Sequence, residues 1–300
     1  MKASSPIQKV QRSRPAQAQF SILIPSWNNL PYLQLCIDSI RKNSVYEHQI
    51  IVHVNEGIDG TLDWVKDHPE LDYSYCAENL GICYALNIAR GLAQTEYILY
   101  LNDDMYVCPG WDQELLQAVR KIGHPFFFLS ATAIEPVDSG NRCVIIRDWG
   151  QNLHSFQEKD LLEGFAQLSA ADWQGATWPP NLVHRDLWDL CGGYSTEFSP
   201  GMYSDPDFSM KLWRLGVRHF QGLGASRVYH FGSKSTARIS GNPGYFRFIS
   251  KWGMAPSLLA QKFLRSGQPF DGPLAEQELT AAERWKSRFK RLQAAWRNPR

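Results

Sequence analysis

The sequence predicts an α/β fold: a mainly parallel central sheet flanked by helices, with a helical C-terminal extension. Short apolar runs rich in branched and aromatic residues alternate with segments whose apolar residues recur at helical spacing. That alternation is the pattern of a parallel sheet covered by crossover helices. One run, Tyr97-Ile98-Leu99-Tyr100-Leu101, is apolar throughout, as a strand buried on both faces must be, and it ends on Asn102-Asp103-Asp104. The carboxyl ends of strands in open α/β sheets are where ligands sit, and adjacent carboxylates suit a hard divalent cation holding phosphates. The same triplet is also ordinary turn chemistry.

Met1–Ala18 carries Lys2, Lys9, Arg12 and Arg14 without an apolar run and reads as a disordered tail, neither signal peptide nor membrane span. Phe20–Pro25 is a first strand, stopped by Pro25. Asn29 and Pro31 start a helix whose apolar face is Leu33, Cys36, Ile37 and Ile40. Gln49–Val54 is a second strand, after which Asn55–Thr61 turns and Thr61 caps a helix running through Val65. Tyr73–Cys76 is a third strand, followed after Glu78-Asn79-Leu80-Gly81 by a helix with Ile82, Ala85, Leu86 and Ala89 on one face. The carboxylate-tipped strand comes next, then a helix bearing Trp111, Leu115, Ala118, Val119 and Ile122, then a strand over Pro125–Ser130.

Patterning weakens from Glu135 to Trp173. Val144–Ile146 fits an antiparallel strand and Asp160–Gln167 a loop or short helix. Asn181–Cys191 reads as helix ended by Gly192-Gly193. Ser204-Asp205-Pro206-Asp207 opens another helix with Ser204 as its cap, and Ser226–His230 is a last strand.

Three hundred residues, 44% hydrophobic and 20% charged, are ample for a buried core. The formal net charge of +1 provides no field for nucleic acid, so no nucleic-acid partner is expected. Six cysteines without a Cys-x-x-Cys pair or metal-site spacing fit free thiols in a reducing compartment, and the expected location is cytoplasmic.

Taken singly, Asp205 could merely favour a helix dipole and His230 could be an ordinary half-buried imidazole. Together the motifs resemble a family. Phe20–Asn28, the Asp59-Gly60-Thr61 ending, Glu78-Asn79-Leu80-Gly81 through Asn87 to Asn102-Asp103-Asp104, Gly192-Gly193-Tyr194 with Ser204–Phe208, and Tyr229–Ser235 are similar, in order and spacing, to the family 2 glycosyltransferases of GT-A fold. The likeness runs from about Gln19 to Ser235 and places a glycosyltransferase domain at 19–240, before an extension over 241–300.

The resemblance implies an inverting, metal-dependent transferase moving a sugar from a nucleotide sugar, UDP-sugars first, to a glycan, lipid-linked or other hydroxyl acceptor, as in cell-surface polysaccharide biosynthesis. Asp205 becomes the general base, Asp104 the ligand of Mg²⁺ or Mn²⁺ in a DxD-like motif, and His230 a completing ligand. Asp103 touches ribose or metal, and Asp207 caps or braces its helix. The donor pocket takes Pro25, Ser26, Trp27, Asn55, Glu56, Asn79 and Gly81. The family's pattern has an acid where Asn102 stands, and its second-strand acid falls on Val54 or Asn55, leaving Glu56 as substitute. Trp149, Trp173 and Trp178 are candidates to stack on acceptor sugars, against the plainer reading that they are packing residues. Two other readings compete. One is a nucleotidyltransferase, for which the glycine-rich, lysine-bearing phosphate loop is missing after the first strand. The other is a non-catalytic nucleotide-sugar or glycan-binding module.

The final twenty residues hold seven Lys and Arg against Glu283, with Trp285, Phe289, Leu292 and Trp296 as a helical stripe. A basic amphipathic helix of this kind lies on an anionic membrane surface, or else packs its stripe on the domain or on a second subunit.

Overall fold

The computed structural model describes residues 6–12, 16–168, 171–232 and 243–297. Ser233, Lys234 and Ser235 of the closing motif, and Arg300, lie outside them.

In chain order the elements are β1 (Gln8–Val10), β2 (Phe20–Trp27), α1 (Leu30–Asn43), β3 (Gln49–Asn55), α2 (Thr61–Lys66), β4 (Asp72–Cys76) and α3 (Ile82–Arg90). Then come β5 (Tyr97–Tyr100), β6 (Met105–Val107), α4 (Trp111–Ile122), β7 (Phe127–Glu135), β8 (Val144–Ile146) and α5 (Glu158–Gly164). They are followed by β9 (Trp173–Gln174), β10 (Asn181–His184), α6 (Arg185–Leu190), α7 (Ser204–Arg214) and β11 (His219–His230). The extension contributes α8 (Gly244–Trp252), the single turn α9 (Pro256–Leu258), a π-turn over Leu259–Phe263 and α10 (Ala281–Arg297).

Among the described residues the strands form one sheet ordered β1-β4-β3-β2-β5-β10-β7-β11-β6, with β8 beside β7 and β9 beside β11. β4, β3, β2 and β5 run parallel, as do β7 and β11. Side chains of a strand alternate between faces, and here both faces are covered. Ile22, Ile24 and Leu99 pack toward Leu33, Ile37, Trp111 and Leu115. Their neighbours Leu23, Ile98 and Tyr100 pack toward Leu86, Trp188, Phe208 and Phe248. The expected helix-covered α/β sheet is therefore present. No helix among the described residues is long and apolar enough to cross a membrane.

Several local expectations are corrected. Gln8–Val10, inside the expected tail, pairs antiparallel with β4, and Arg12 donates its backbone N–H to the buried Asp72 carboxylate at 2.6 Å. Pro25 does not stop β2, which pairs with β3 as far as Trp27↔Asn55. The ladder to β5 ends at Leu23, so the missing N–H of Pro25 falls on a side already open. Asn181–His184 is strand, not helix. It runs antiparallel between β5 and β7, and helix begins only at Arg185. β8 pairs parallel, not antiparallel, with β7.

Capping also differs from expectation. Gly60 precedes α2, while Asp59 accepts the backbone N–H (3.1 Å) and hydroxyl (2.6 Å) of Thr61. Tyr203, at φ 69°, precedes α7, and the Ser204 hydroxyl turns back to the Gly201 carbonyl at 2.5 Å.

Candidate active site

Sheet register assembles one wall of the site. β5 delivers Asn102-Asp103-Asp104 at its carboxyl end, and the chain then turns into β6, which runs antiparallel to β11. In that pairing His230 lies opposite Met105, and the Phe231 N–H donates to the Asp104 carbonyl at 3.2 Å. Tyr229 in turn lies opposite Ile134 of β7, which places Glu135 next to His230. Two residues about 125 positions apart thus meet through backbone pairing.

The resulting row is Asp104–His230–Glu135. His230 Nε2 is 3.5 Å from Asp104 Oδ1, and its Nδ1 is 3.0 Å from Glu135 Oε1. Burial alone would push the imidazole pKa down. The two carboxylates more than reverse that and raise it to about 10.

Asp205 stands in the first turn of α7. Burial raises its carboxyl pKa to about 7, a shift that the Tyr194 hydroxyl, donating to Oδ1 at 3.2 Å, only partly offsets. Tyr194 is itself fixed. Asn87 clamps its backbone, accepting the N–H at 2.8 Å and donating to the C=O at 2.7 Å. Its ring stacks on Phe208 at 4.6 Å between centroids and meets Tyr100 edge-on at 5.9 Å. A Cβ on Gly193 would lie 2.2 Å from Asn87 Oδ1, so only glycine (φ 64°) lets the clamp close. Asp207 braces the helix as expected: it accepts from Ser195 (2.6 Å) and Trp252 (2.8 Å) and pairs with Lys251 at 2.9 Å, tying the C-terminal extension to this turn.

The row and Asp205 border one cavity of about 970 Å³. Asp103, Asp104, His230, Glu135 and Asp205 line it together with the expected Pro25, Ser26, Trp27, Asn55, Asn79 and Gly81. Asn55 Oδ1 accepts from Leu80 N–H and Asn79 Oδ1 from Gly81 N–H, each at 2.9 Å, which fixes the loop before α3. At Gly81, φ is 77° and a Cβ would lie 2.6 Å from Pro200 Cα, so close loop approach demands glycine there.

Three expected residues stand elsewhere. Glu56 does not line the cavity; its Oε2 accepts from Trp27 Nε1 and Asn28 Nδ2, both at 2.8 Å, and so holds Trp27 in place. Trp173 is buried, donates to Thr132 Oγ1 at 2.9 Å and fills the space left by Gly222, so it cannot stack on a ligand. Trp149 is core beside Tyr229. Trp178, 40% exposed, does line the cavity. Sequence reasoning gave Glu135 and Tyr194 no individual role, Tyr194 figuring only within the Gly192-Gly193-Tyr194 motif, whereas the wall from Pro256 to Ser266 falls in the stretch Gly241–Pro269 expected to shape acceptor specificity. Glu135 had a usable signal, a carboxylate at the carboxyl end of a strand, like the Asp103-Asp104 pair.

Among the described residues no group of three or more His, Cys, Asp and Glu side chains is preassembled for a metal ion. The chemistry of the row nevertheless fits one. Asp104 offers an oxygen donor, His230 Nε2 would become a nitrogen donor once a cation displaced the proton the two carboxylates favour there, and Glu135 grips the far nitrogen of the imidazole as an orienting partner does. Divalent ions that act on phosphates need few protein ligands, since phosphate oxygens and water complete the shell.

Residues 21–163 match the family model Glycosyl transferase family 2. Over 101 residues the chain is 25% identical to EpsH of Bacillus subtilis (strain 168), itself assigned to the glycosyltransferases. That match covers 32% of this chain and spans 29% of the relative's length. Among solved structures, S. aureus TarS 1-349 in complex with UDP superposes with a TM-score of 0.57 at 13% identity, covering 94% of this chain and 73% of that one. The same protein with UDP-GlcNAc gives 0.57 at 12% identity, covering 93% and 73%. GalNAc-T7 with UDP, GalNAc and Mn²⁺ gives 0.54 at 16% identity, covering 72% and 44%. At such identities the structural likeness speaks for the fold. The chain therefore has the GT-A fold of these structures, and its residues from β2 to α5 match the family model.

Proposed function

We propose that this chain transfers a sugar from a nucleotide-sugar donor, UDP-sugars first, to a hydroxyl of a glycan or lipid-linked acceptor, inverting the anomeric centre. One observation carries the reading: a single cavity is lined both by a carboxylate–imidazole row and by Asp205, a half-buried carboxylate whose pKa is lifted to about 7. The UDP and UDP-GlcNAc held by the structurally similar TarS support the donor class.

In the proposed step the acceptor oxygen attacks the anomeric carbon while Asp205 takes its proton. The bond from that carbon to the phosphate oxygen breaks, and its electron pair leaves with the nucleoside diphosphate. A hydroxyl is a poor nucleophile until its proton is withdrawn, and a base works best with a pKa near the operating pH. Asp104 and His230, with Asp103 beside them, would hold a Mg²⁺ or Mn²⁺ ion, which supplies Lewis-acid stabilisation of the charge growing on the leaving diphosphate. Pro25, Ser26 and Trp27 flank the donor, Glu56 holding the indole in place. Trp178 and the wall from Pro256 to Ser266 shape the acceptor side.

Incubation with Mn²⁺ and a panel of UDP-, GDP-, dTDP- and CMP-sugars should release nucleoside diphosphate slowly from one of them, by donor hydrolysis in the absence of acceptor. Saturable binding with no release from any would leave a binding module instead, and pyrophosphate release from a nucleoside triphosphate and a sugar phosphate would favour a nucleotidyltransferase.

Tyr194→Phe removes a donor that favours the charged form of Asp205, so the carboxyl pKa should rise further. The acidic limb of the kcat/KM profile should then move to higher pH while activity on the alkaline plateau changes little. An unmoved limb would mean that the Tyr194–Asp205 contact has no influence on the base.

A further inference from the structure

The amphipathic helix α10 is mounted the wrong way round for a packing element. Its packed side carries small and polar groups: Ala294 is fully buried, Ser287 is nearly so, and Lys290 reaches the Tyr245 hydroxyl of α8 at 3.5 Å. Glu283 pairs with Lys262 at 2.5 Å and, with Thr280, forms a reciprocal cap on the first turn. At 100° per residue, Trp285, Phe289, Leu292 and Trp296 fall within about 60° of one another on the opposite side. They are 70%, 53%, 69% and 84% exposed. The stripe extends about 16 Å along the helix.

An isolated surface leucine needs no explanation, but four large apolar side chains in one row, two of them tryptophan, do. Arg284 and Arg288 flank the row on one side and Lys286 on the other, all exposed. The lone acid of the helix, Glu283, is committed to Lys262 on the packed side. A second copy of the helix would set like charges against like. A surface of anionic lipid headgroups offers opposite charge to the flanks and an acyl boundary to the stripe.

We propose that α10 seats this protein on an anionic phospholipid bilayer, lying in the interface plane with Trp285, Phe289, Leu292 and Trp296 inserted. Lys262 follows Gln261, which borders the catalytic cavity, so the anchor is fastened next to the acceptor-side wall. An acceptor carried on lipid would meet that wall at the membrane surface. The anchoring itself does not rest on the transferase reading.

The test is co-sedimentation of the full chain with vesicles of phosphatidylcholine alone and of phosphatidylcholine with 30 mol% phosphatidylglycerol. The protein should bind the second and not the first, and release as salt is raised. Replacing Arg284, Lys286 and Arg288 by Glu should weaken binding roughly hundredfold or more, at about 1 kcal/mol per basic residue near such a surface. Trp285→Ala, Phe289→Ala, Leu292→Ala and Trp296→Ala combined should cut it at least tenfold. Alanine keeps helix propensity and leaves the packed face untouched, so circular dichroism and donor hydrolysis should match the wild type. Equal binding to both vesicles, binding to neither, or a concentration-dependent dimer in sedimentation velocity that the alanine variant abolishes would each overturn the proposal.

Discussion

Asp205→Asn should abolish sugar transfer, lowering kcat by about 10³-fold, while nucleotide affinity stays within about twofold of wild type. Asparagine keeps the shape and the hydrogen bond to Tyr194 but cannot accept the acceptor's proton. The pH profile gives the same assignment independently. With the carboxyl pKa at about 7, the base is ionised above that pH and protonated below it, so kcat/KM of the wild type should fall tenfold per unit on the acid side. The linkage carries a definite sign. A carboxyl whose native pKa exceeds its unfolded value of 3.8 binds more protons when folded, so its stabilising contribution is present at low pH and is lost as pH rises from about 4 to 7. Asp205→Asn should therefore melt a few degrees higher than wild type at pH 8 and show little difference at pH 4. A variant that loses nucleotide binding and transfer in parallel, or that melts lower at pH 8, would contradict the base assignment.

The parts of this molecule legible in sequence are those where one element explains its own residues. β2, β3, α1, α3 and α4 carry complete apolar faces and fell where periodicity put them. β10 did not, because Leu182, Val183 and Leu187 satisfy helical spacing and a four-residue strand leaves too few positions to decide the period. Only the neighbours β5 and β7 make it a strand. Trp173 and Trp178, five positions apart and alike in type, separate for a similar reason. Gly222 on β11 leaves a slot for one indole, while the other stays exposed at the cavity. Glu135 and Tyr194 depend on register and on a clamp from Asn87, contacts spanning 95 and 107 positions that no local window contains. The stripe on α10 was legible, but which side packs was settled by the burial of Ser287 and Ala294.

Asp104→Ala should make donor binding indifferent to metal. On the proposed function, titration of the wild type with UDP in Mn²⁺ should be tighter than in EDTA, because Asp104 and His230 would offer the ion an anchored carboxylate and imidazole. With the carboxylate gone, the ion retains only His230, and the advantage of Mn²⁺ over EDTA should shrink at least tenfold, with kcat/KM falling further because charge on the leaving diphosphate goes uncompensated. A structural confound is foreseeable, since Asp104 also contacts His230 across 3.5 Å and its loss removes one of two carboxylates holding the imidazole. Glu135→Gln separates the effects. It leaves both donors in place and loosens only the orientation of the ring, so it should weaken the Mn²⁺ advantage by about tenfold while sparing metal-free UDP binding. If Asp104→Ala binds UDP in Mn²⁺ as tightly as wild type, the ion is held elsewhere and the row of Asp104, His230 and Glu135 is an internal ion pair of the fold.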